Sequence, residues 1–134
     1  MSETPVFTGD FGFSRPYELR NSGLEEGMPL YLGRFSYTVD AIKGLVENPH
    51  DRAQAAAEAF ESLGARMIGF WYAFGEFDGV FLAEAPDNAT AAAVAMLVGG
   101  SGALSKLETT VLLNMDEAQQ AMRKAAGASY RPPN

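Results

Sequence analysis

The 134-residue sequence has no cysteine and a single histidine, His50. The lack of cysteine excludes disulfides, thiolate catalysis and cysteine-ligated zinc or iron–sulfur centres. A lone histidine also excludes metal sites built on a histidine pair, and it leaves a haem only one histidine to serve as an axial ligand. We therefore expect neither a metal nor a cofactor.

Basic residues are also scarce, with 10 Lys and Arg against 17 Asp and Glu, a net charge of -7 and a pI near 4.6. This balance works against binding a polyanion, so nucleic acid is not expected as a partner. No apolar run approaches the ~20 residues that span a bilayer, so no membrane association is expected. The start MSETPVFTGD lacks the basic and apolar regions of a signal peptide, which predicts a cytoplasmic protein.

Six of the ten aromatic residues between positions 28 and 126 lie in residues 65–85, where two apolar runs flank Gly75-Glu76. Gly in the first position of a two-residue loop predicts a type II′ hairpin. The predicted cross-strand pairs are Phe74–Phe77, Tyr72–Gly79, Phe70–Phe81 and Ile68–Ala83. One face then forms an aromatic layer made of Phe70, Tyr72, Phe74, Phe77 and Phe81. On the opposite face Trp71 stands between small residues, a surface that accepts a helix or leaves room for a ligand.

The remaining patterns predict the order β-α-β-β-α-β followed by a C-terminal helix. Alternation predicts strands over residues 30–38 and 106–113, and helical spacing predicts helices after Thr38 and after Pro86-Asp87. The first helix is expected to restart at Asn48, as an N-cap before Pro49, and to stop at Gly64. A last helix is expected to begin at Asn114 or Asp116 and to turn Ala118, Met122 and Ala125 inward.

This element order is the ferredoxin-like split βαβ arrangement, an α+β fold with an antiparallel sheet. We divide the chain into an N-terminal arm (residues 1–27), one domain (28–126) and a C-terminal tail (127–134). The aromatic layer is too large to leave in water on a monomer, so we expect it to press against a second copy, giving a homodimer or a higher homo-oligomer. The aromatic residues of the arm suggest docking on a neighbouring subunit or on a larger protein complex.

The segment Gly75, Glu76, Phe77 and Asp78, followed by an apolar strand and EAPD, resembles the GYD-domain family of the dimeric α+β barrel superfamily. The start MPLYLGRFSYT and the close ETTVLLNMDEA are also similar, so the resemblance covers residues 28–124. Phe77 stands where the family has Tyr. The resemblance implies a dimeric α+β barrel. The family's activity is largely unassigned, while the superfamily includes cofactor-free monooxygenases, haem-degrading enzymes, isomerases and small-ligand sensors.

Five side chains are candidates for a functional site. Arg34 on a central strand needs a partner, which could be Glu84, Glu108 or a ligand carboxylate. Together with Tyr37 and Trp71, Arg34 forms the predicted ligand-binding set. His50 and Asp78 are the candidate catalytic residues; a solvated His50, and an Asp78 that binds backbone N–H groups beside its turn, are the alternatives.

Two functions follow from these patterns. The first is binding of a small aromatic or carboxylated molecule between sheet and helices, with cofactor-free proton transfer or substrate-assisted oxidation as the chemistry open to it. The second is a structural or accessory subunit that the N-terminal arm fixes to identical copies or to a larger enzyme. The sequence leaves open whether the protein is an enzyme.

Overall fold

The computed structural model describes residues 28–134, so the predicted arm lies outside the described residues. The described part contains four strands and four helices in the following order. They are β1 (Leu30–Tyr37), α1 (Val39–Glu47), α2 (Arg52–Ser62), β2 (Arg66–Tyr72), β3 (Gly79–Glu84), α3 (Asn88–Gly99), β4 (Leu104–Leu112) and α4 (Met115–Ala126). None of the helices in this part combines the length and the hydropathy needed to cross a bilayer.

The four strands form one antiparallel sheet with the order β2-β3-β1-β4. β1 lies inside the sheet and pairs with β3 on one side and β4 on the other, and β2 is an edge strand. This order confirms the predicted ferredoxin-like α+β fold.

Polar caps fix where three of the helices begin. The hydroxyl of Thr38 accepts a hydrogen bond from the first turn of α1, and the carboxylate of Asp87 accepts one from the first turn of α3. Asn114 and Glu117 form a capping box at the start of α4. All three starts agree with the predicted ones.

The start of α2 differs from the prediction. Asn48 ends α1: its N–H still donates to the carbonyl of Gly44 at 2.9 Å, but its own backbone has left the helical conformation, with φ -140° and ψ 76°. α2 begins after Asp51, whose carboxylate accepts the N–H of Ala53 at 2.8 Å. Asp51 satisfies a free N–H of the first turn directly, so the prediction of an N-cap at Asn48 is wrong.

The core lies between the sheet and the helices α2 and α3. Phe60 of α2 is 1% exposed and meets Phe81 edge to face, with ring centroids 5.1 Å apart. Tyr31 and Phe35 of β1 and Val94 of α3 complete the buried cluster. The aromatic side of the sheet is therefore covered by the chain's own helices, and the prediction that it meets a second copy is wrong. The alanine-rich faces of α2 and α3 let the helices approach the rings closely enough to bury them.

The hairpin between β2 and β3 is longer and less regular than predicted. Tyr72 pairs with Gly79 and Phe70 pairs with Phe81, as expected, but the strands end there and residues 73–78 form a loop. The predicted pair Phe74–Phe77 is absent from the ladder. The register shifts between Met67 and Gly69, so Met67 pairs with Ala83 and the predicted pair Ile68–Ala83 is also wrong.

The face of the sheet that α2 and α3 leave uncovered is termed here the open face. It carries the alternate residues of the strands, among them Leu32, Arg34, Val80 and Leu82. Phe77 was predicted in the aromatic layer but lies on the open face. The guanidinium of Arg34 lies 5.0 Å from the centroid of its ring. Phe74, which was also assigned to the aromatic layer, is fully exposed.

Candidate functional site

A groove with a volume of about 660 Å³ runs between the start of α2 and the edge strand β2. This volume is within the range of small-molecule sites. The helix side of the groove contains His50, Arg52 and Gln54, and the strand side contains Met67, Phe70, Trp71 and Tyr72. The groove thus has a polar wall and an aromatic wall.

The aromatic wall depends on the position of β2 at the sheet edge. Phe70 and Tyr72 lie on the helix side of the sheet and Trp71, opposite Val80, lies on the open face. All three border the groove because no further strand of the described chain covers this edge. The indole of Trp71 lies over Gly69, where a Cβ would stand 2.3 Å from Cη2 of Trp71. A side chain at position 69 would displace the indole, so glycine is required for this placement.

The polar wall is built by the turn before α2. Nδ1 of His50 lies 2.8 Å from the backbone oxygen of Asn48. A carbonyl oxygen only accepts, so Nδ1 carries the proton and Nε2 is the nitrogen that can take up another. Arg52 follows on the first turn of α2 and brings a permanent positive charge to the groove.

Behind the aromatic wall, the hydroxyls of Tyr37 and Tyr72 lie 3.1 Å apart. Burial is the main factor that raises the pKa of Tyr37, the bond with Tyr72 raises it further, and the positive charge of Arg52 acts in the opposite direction. Tyr37 therefore stays a neutral phenol at pH 7 and is held in place by its neighbour.

Arg34 and Asp78 lie away from the groove. Arg34 is on the open face, where its guanidinium pairs with the carboxylate of Glu108 at 3.2 Å, one of the predicted partners. The carboxylate of Asp78 accepts the backbone N–H of Tyr37 at 2.9 Å, which is the alternative role weighed for it. The backbone N–H of Asp78 in turn donates to the carbonyl of Phe35 at 2.8 Å.

These contacts attach the loop of residues 73–78 to β1. The structure thus brings His50 and Trp71 together at the groove and places Tyr37 behind Tyr72. It does not bring Arg34 or Asp78 there. Which of these residues bind a ligand or take part in catalysis stays a prediction.

Arg52, Gln54 and Tyr72 also line the groove, although no sequence pattern marked them as site residues. Arg52 and Gln54 lie in the segment that begins α2, and helical periodicity alone gives no reason to select them. Their closeness to His50 in sequence was a usable signal. Among residues 28–134, no group of three or more His, Asp or Glu side chains is arranged to hold a metal ion.

A four-stranded sheet of this order, with core helices on one face and a groove at the β2 edge, defines a ferredoxin-like α+β protein. The sequence model of the GYD domain matches residues 31–122, and the chain belongs to the GYD domain family. The match confirms the resemblance drawn from residues 75–78.

Among solved structures, the chain is similar to an uncharacterized NIPSNAP-like domain protein from Burkholderia xenovorans. The two share 15% sequence identity, with a TM-score of 0.43, over 81% of this chain and 95% of that one. No curated protein matches the sequence.

Proposed function

We propose that this protein binds a small aromatic carboxylate in the groove between α2 and β2. The observation that supports the proposal is the pairing of an aromatic wall with a cationic residue, Arg52, in one groove. Rings stack on rings, and a guanidinium binds a carboxylate through two parallel N–H···O bonds. A molecule that carries both groups at opposite ends matches both walls.

His50 gives the groove one imidazole that could accept or donate a proton. Its Nδ1–H is held by the backbone oxygen of Asn48, so Nε2 is the position that would accept a proton from a bound ligand. Any proton transfer in this groove is therefore assigned to His50 rather than to Asp78, whose carboxylate already accepts the N–H of Tyr37.

Fluorescence of Trp71, the only tryptophan, tests the proposal. Titration with benzoate, phenylacetate and 4-hydroxybenzoate should give a saturable change in emission, and benzyl alcohol should bind more weakly because it lacks the carboxylate. In Arg52→Gln the dissociation constant for the best acid should rise at least about tenfold, since a hydrogen bond to a charged group contributes roughly 1.5–3 kcal/mol.

Arg123→Gln is the matched control. Arg123 lies in the last turn of α4 and is not part of the groove, so its loss should leave the dissociation constant unchanged. The proposal fails if none of the three acids gives a saturable response, or if the two arginine variants weaken binding equally.

A second candidate function, assembly into a homodimer, is favoured by the open face. Arg34 Nε and Glu84 Oε2 are buried there without a hydrogen-bond partner among residues 28–134, although Oε1 of Glu84 accepts from Arg66 at 2.8 Å. Buried polar atoms are almost always satisfied in native proteins. The half-buried Leu32 and Leu82 add apolar area between these charges. A second copy that faces this surface would cover the exposed parts of Leu32 and Leu82.

Light scattering at micromolar concentration tests this candidate. We expect twice the chain mass of 14.4 kDa, and we expect Leu82→Arg to return the single-chain mass because it adds an unpaired charge to the open face. Leu97→Arg on α3, where Leu97 is 49% exposed, should leave the assembly intact. A single-chain mass for the unsubstituted protein would reject the homodimer.

A further inference from the structure

We propose that the N-terminal arm, residues 1–27, docks on helix α4 of the same chain. The helix is well formed, because Asn114 and Glu117 close a capping box and the last turn carries Arg123 and Lys124, which complement the helix dipole. It nevertheless buries none of its residues within the described chain.

The surface in question is the apolar stripe, defined as Leu113, Met115, Ala118 and Met122. Leu113 is 56% exposed, Met115 70% and Met122 65%, and only Ala118 is half-buried. Met115, Ala118 and Met122 share one helix face at spacings of three and four residues, while charged and amide side chains occupy the opposite face. Such segregation stabilises a helix only when its apolar side is covered.

The connectivity brings the residue at which the arm joins the domain to the end of the sheet where α4 begins. Leu30, the first residue of β1, pairs with Leu112, the last residue of β4, and α4 begins three residues later. The arm joins the domain at the same end of the sheet. A chain of 27 residues reaches up to about 90 Å when extended, whereas a helix of 12 residues is only about 18 Å long.

The covalent link between the arm and the domain favours the arm over a second copy as the occupant of the apolar stripe. A segment linked to its site has an effective concentration in the millimolar range. A separate copy at micromolar concentration competes at a disadvantage of roughly a thousandfold for equal contacts.

The composition of the arm matches the stripe and its surroundings. The arm contains Phe7, Phe11, Phe13 and Tyr17, and aromatic rings make favourable contacts with methionine sulfur. The arm carries five acidic residues and two basic ones, and basic residues lie in the last turn of α4. Burial of rings on methionines therefore favours this contact, and opposite charges favour it at the last turn only, because Asp116 and Glu117 in the first turn repel an acidic segment.

Methionine oxidation in the full chain measures the coverage directly. Within the described residues Met96 of α3 is 76% exposed, close to the values for Met115 and Met122, so the three would oxidise at similar rates in the absence of the arm. With the arm docked, dilute hydrogen peroxide followed by mass spectrometry should show Met115 and Met122 reacting at least fivefold more slowly than Met96. Equal rates for the three methionines would overturn the proposal.

A variant of the arm provides the control. Phe11→Ser combined with Phe13→Ser leaves the described domain untouched and should bring the rates of Met115 and Met122 up to that of Met96. Protection should be the same at about 1 and about 100 µM protein, because an intrachain contact does not depend on concentration. Protection that survives the double substitution, or that disappears on dilution, would assign the stripe to another occupant and reject the arm.

Discussion

Two pairs of helices in this protein use their apolar residues in opposite ways. α2 and α3 bury Phe60 and Val94 against the sheet, and their other core-facing residues are largely alanines. α1 and α4 have the more clearly segregated apolar faces but bury nothing in the described chain. On α1, Val39 is 75% exposed and Val46 is 74% exposed.

The difference shows how the core is filled. The sheet already supplies large rings, so the helices above it need small residues that allow a close approach and one ring, Phe60, that fills the remaining space. Large apolar side chains on α1 and α4 have no such surface below them. Amphipathicity alone therefore does not identify which helices of a chain form its core, and an exposed amphipathic helix points instead to an interaction.

The largest effect is expected at Phe60. Phe60→Ala should lower the free energy of unfolding by about 3–5 kcal/mol, because it opens a cavity beneath the rings of the sheet. Phe74→Ala is the matched control: Phe74 is fully exposed, so its removal should change stability by less than about 0.5 kcal/mol. Urea denaturation followed by circular dichroism measures both. Similar losses for the two variants would contradict the assignment of Phe60 to the core.

Two glycines show the same difference in packing between the core and α1. A Cβ at Gly33 would stand 2.0 Å from the ring of Phe81, whereas a Cβ at Gly44 of α1 meets nothing within 4 Å. Gly33→Ala should cost about 1–3 kcal/mol through overpacking, and Gly44→Ala should stabilise the protein by up to about 1 kcal/mol because alanine is the better helix former. Thermal unfolding would show shifts of opposite sign, and a stabilised Gly33→Ala would refute the packing described for β1.

Much of the fold was predictable from the sequence because local signals agreed with the topology. Thr38, Asp87 and Asn114 each precede a helical pattern and cap it as expected, and alternation located β1. The N-cap of α2 was wrongly predicted at Asn48 because Asn is a favoured N-cap residue, and the observed N-cap, Asp51, comes only three residues later. Residue preferences alone do not decide between two candidate N-cap residues that lie less than one helical turn apart.

The covered face of the sheet was predicted incorrectly for a physical reason. Alternation shows which residues share a face, but it does not show which face the helices cover. The bulge at Ile68 and the long loop at residues 73–78 depend on contacts of the loop with β1, such as the bond between Tyr37 and Asp78, which no local pattern reports. For the site, Trp71 and His50 were selected, while Arg52 was missed because only the folded chain brings α2 to the edge of β2.

Tyr31, which is buried, and Tyr37, which is half-buried, predict a loss of stability at alkaline pH. Burial raises the pKa of Tyr37 and of Tyr31 above the ordinary value of 10.0, so the unfolded chain loses these protons first. Their contribution is fully present below about pH 10 and is lost as pH rises above that value. Tyr37→Phe should reduce the slope of stability against pH above about pH 10. Tyr130→Phe should not, because Tyr130 is 81% exposed; equal slopes for the two variants would argue against a raised pKa of Tyr37.

The smallest change in global stability is expected from the cap of α4. Asn114→Ala removes the capping box, which is worth about 1 kcal/mol to a helix. Because α4 buries none of its residues, this loss should appear as reduced helical circular dichroism at 222 nm, with little change in the urea midpoint of the core. Asp87→Ala, which removes the corresponding cap of the core helix α3, should shift that midpoint instead. If Asn114→Ala shifted the midpoint as far as Asp87→Ala, α4 would be part of the same cooperative unit as α2 and α3, and the contrast between the two pairs of helices would be lost.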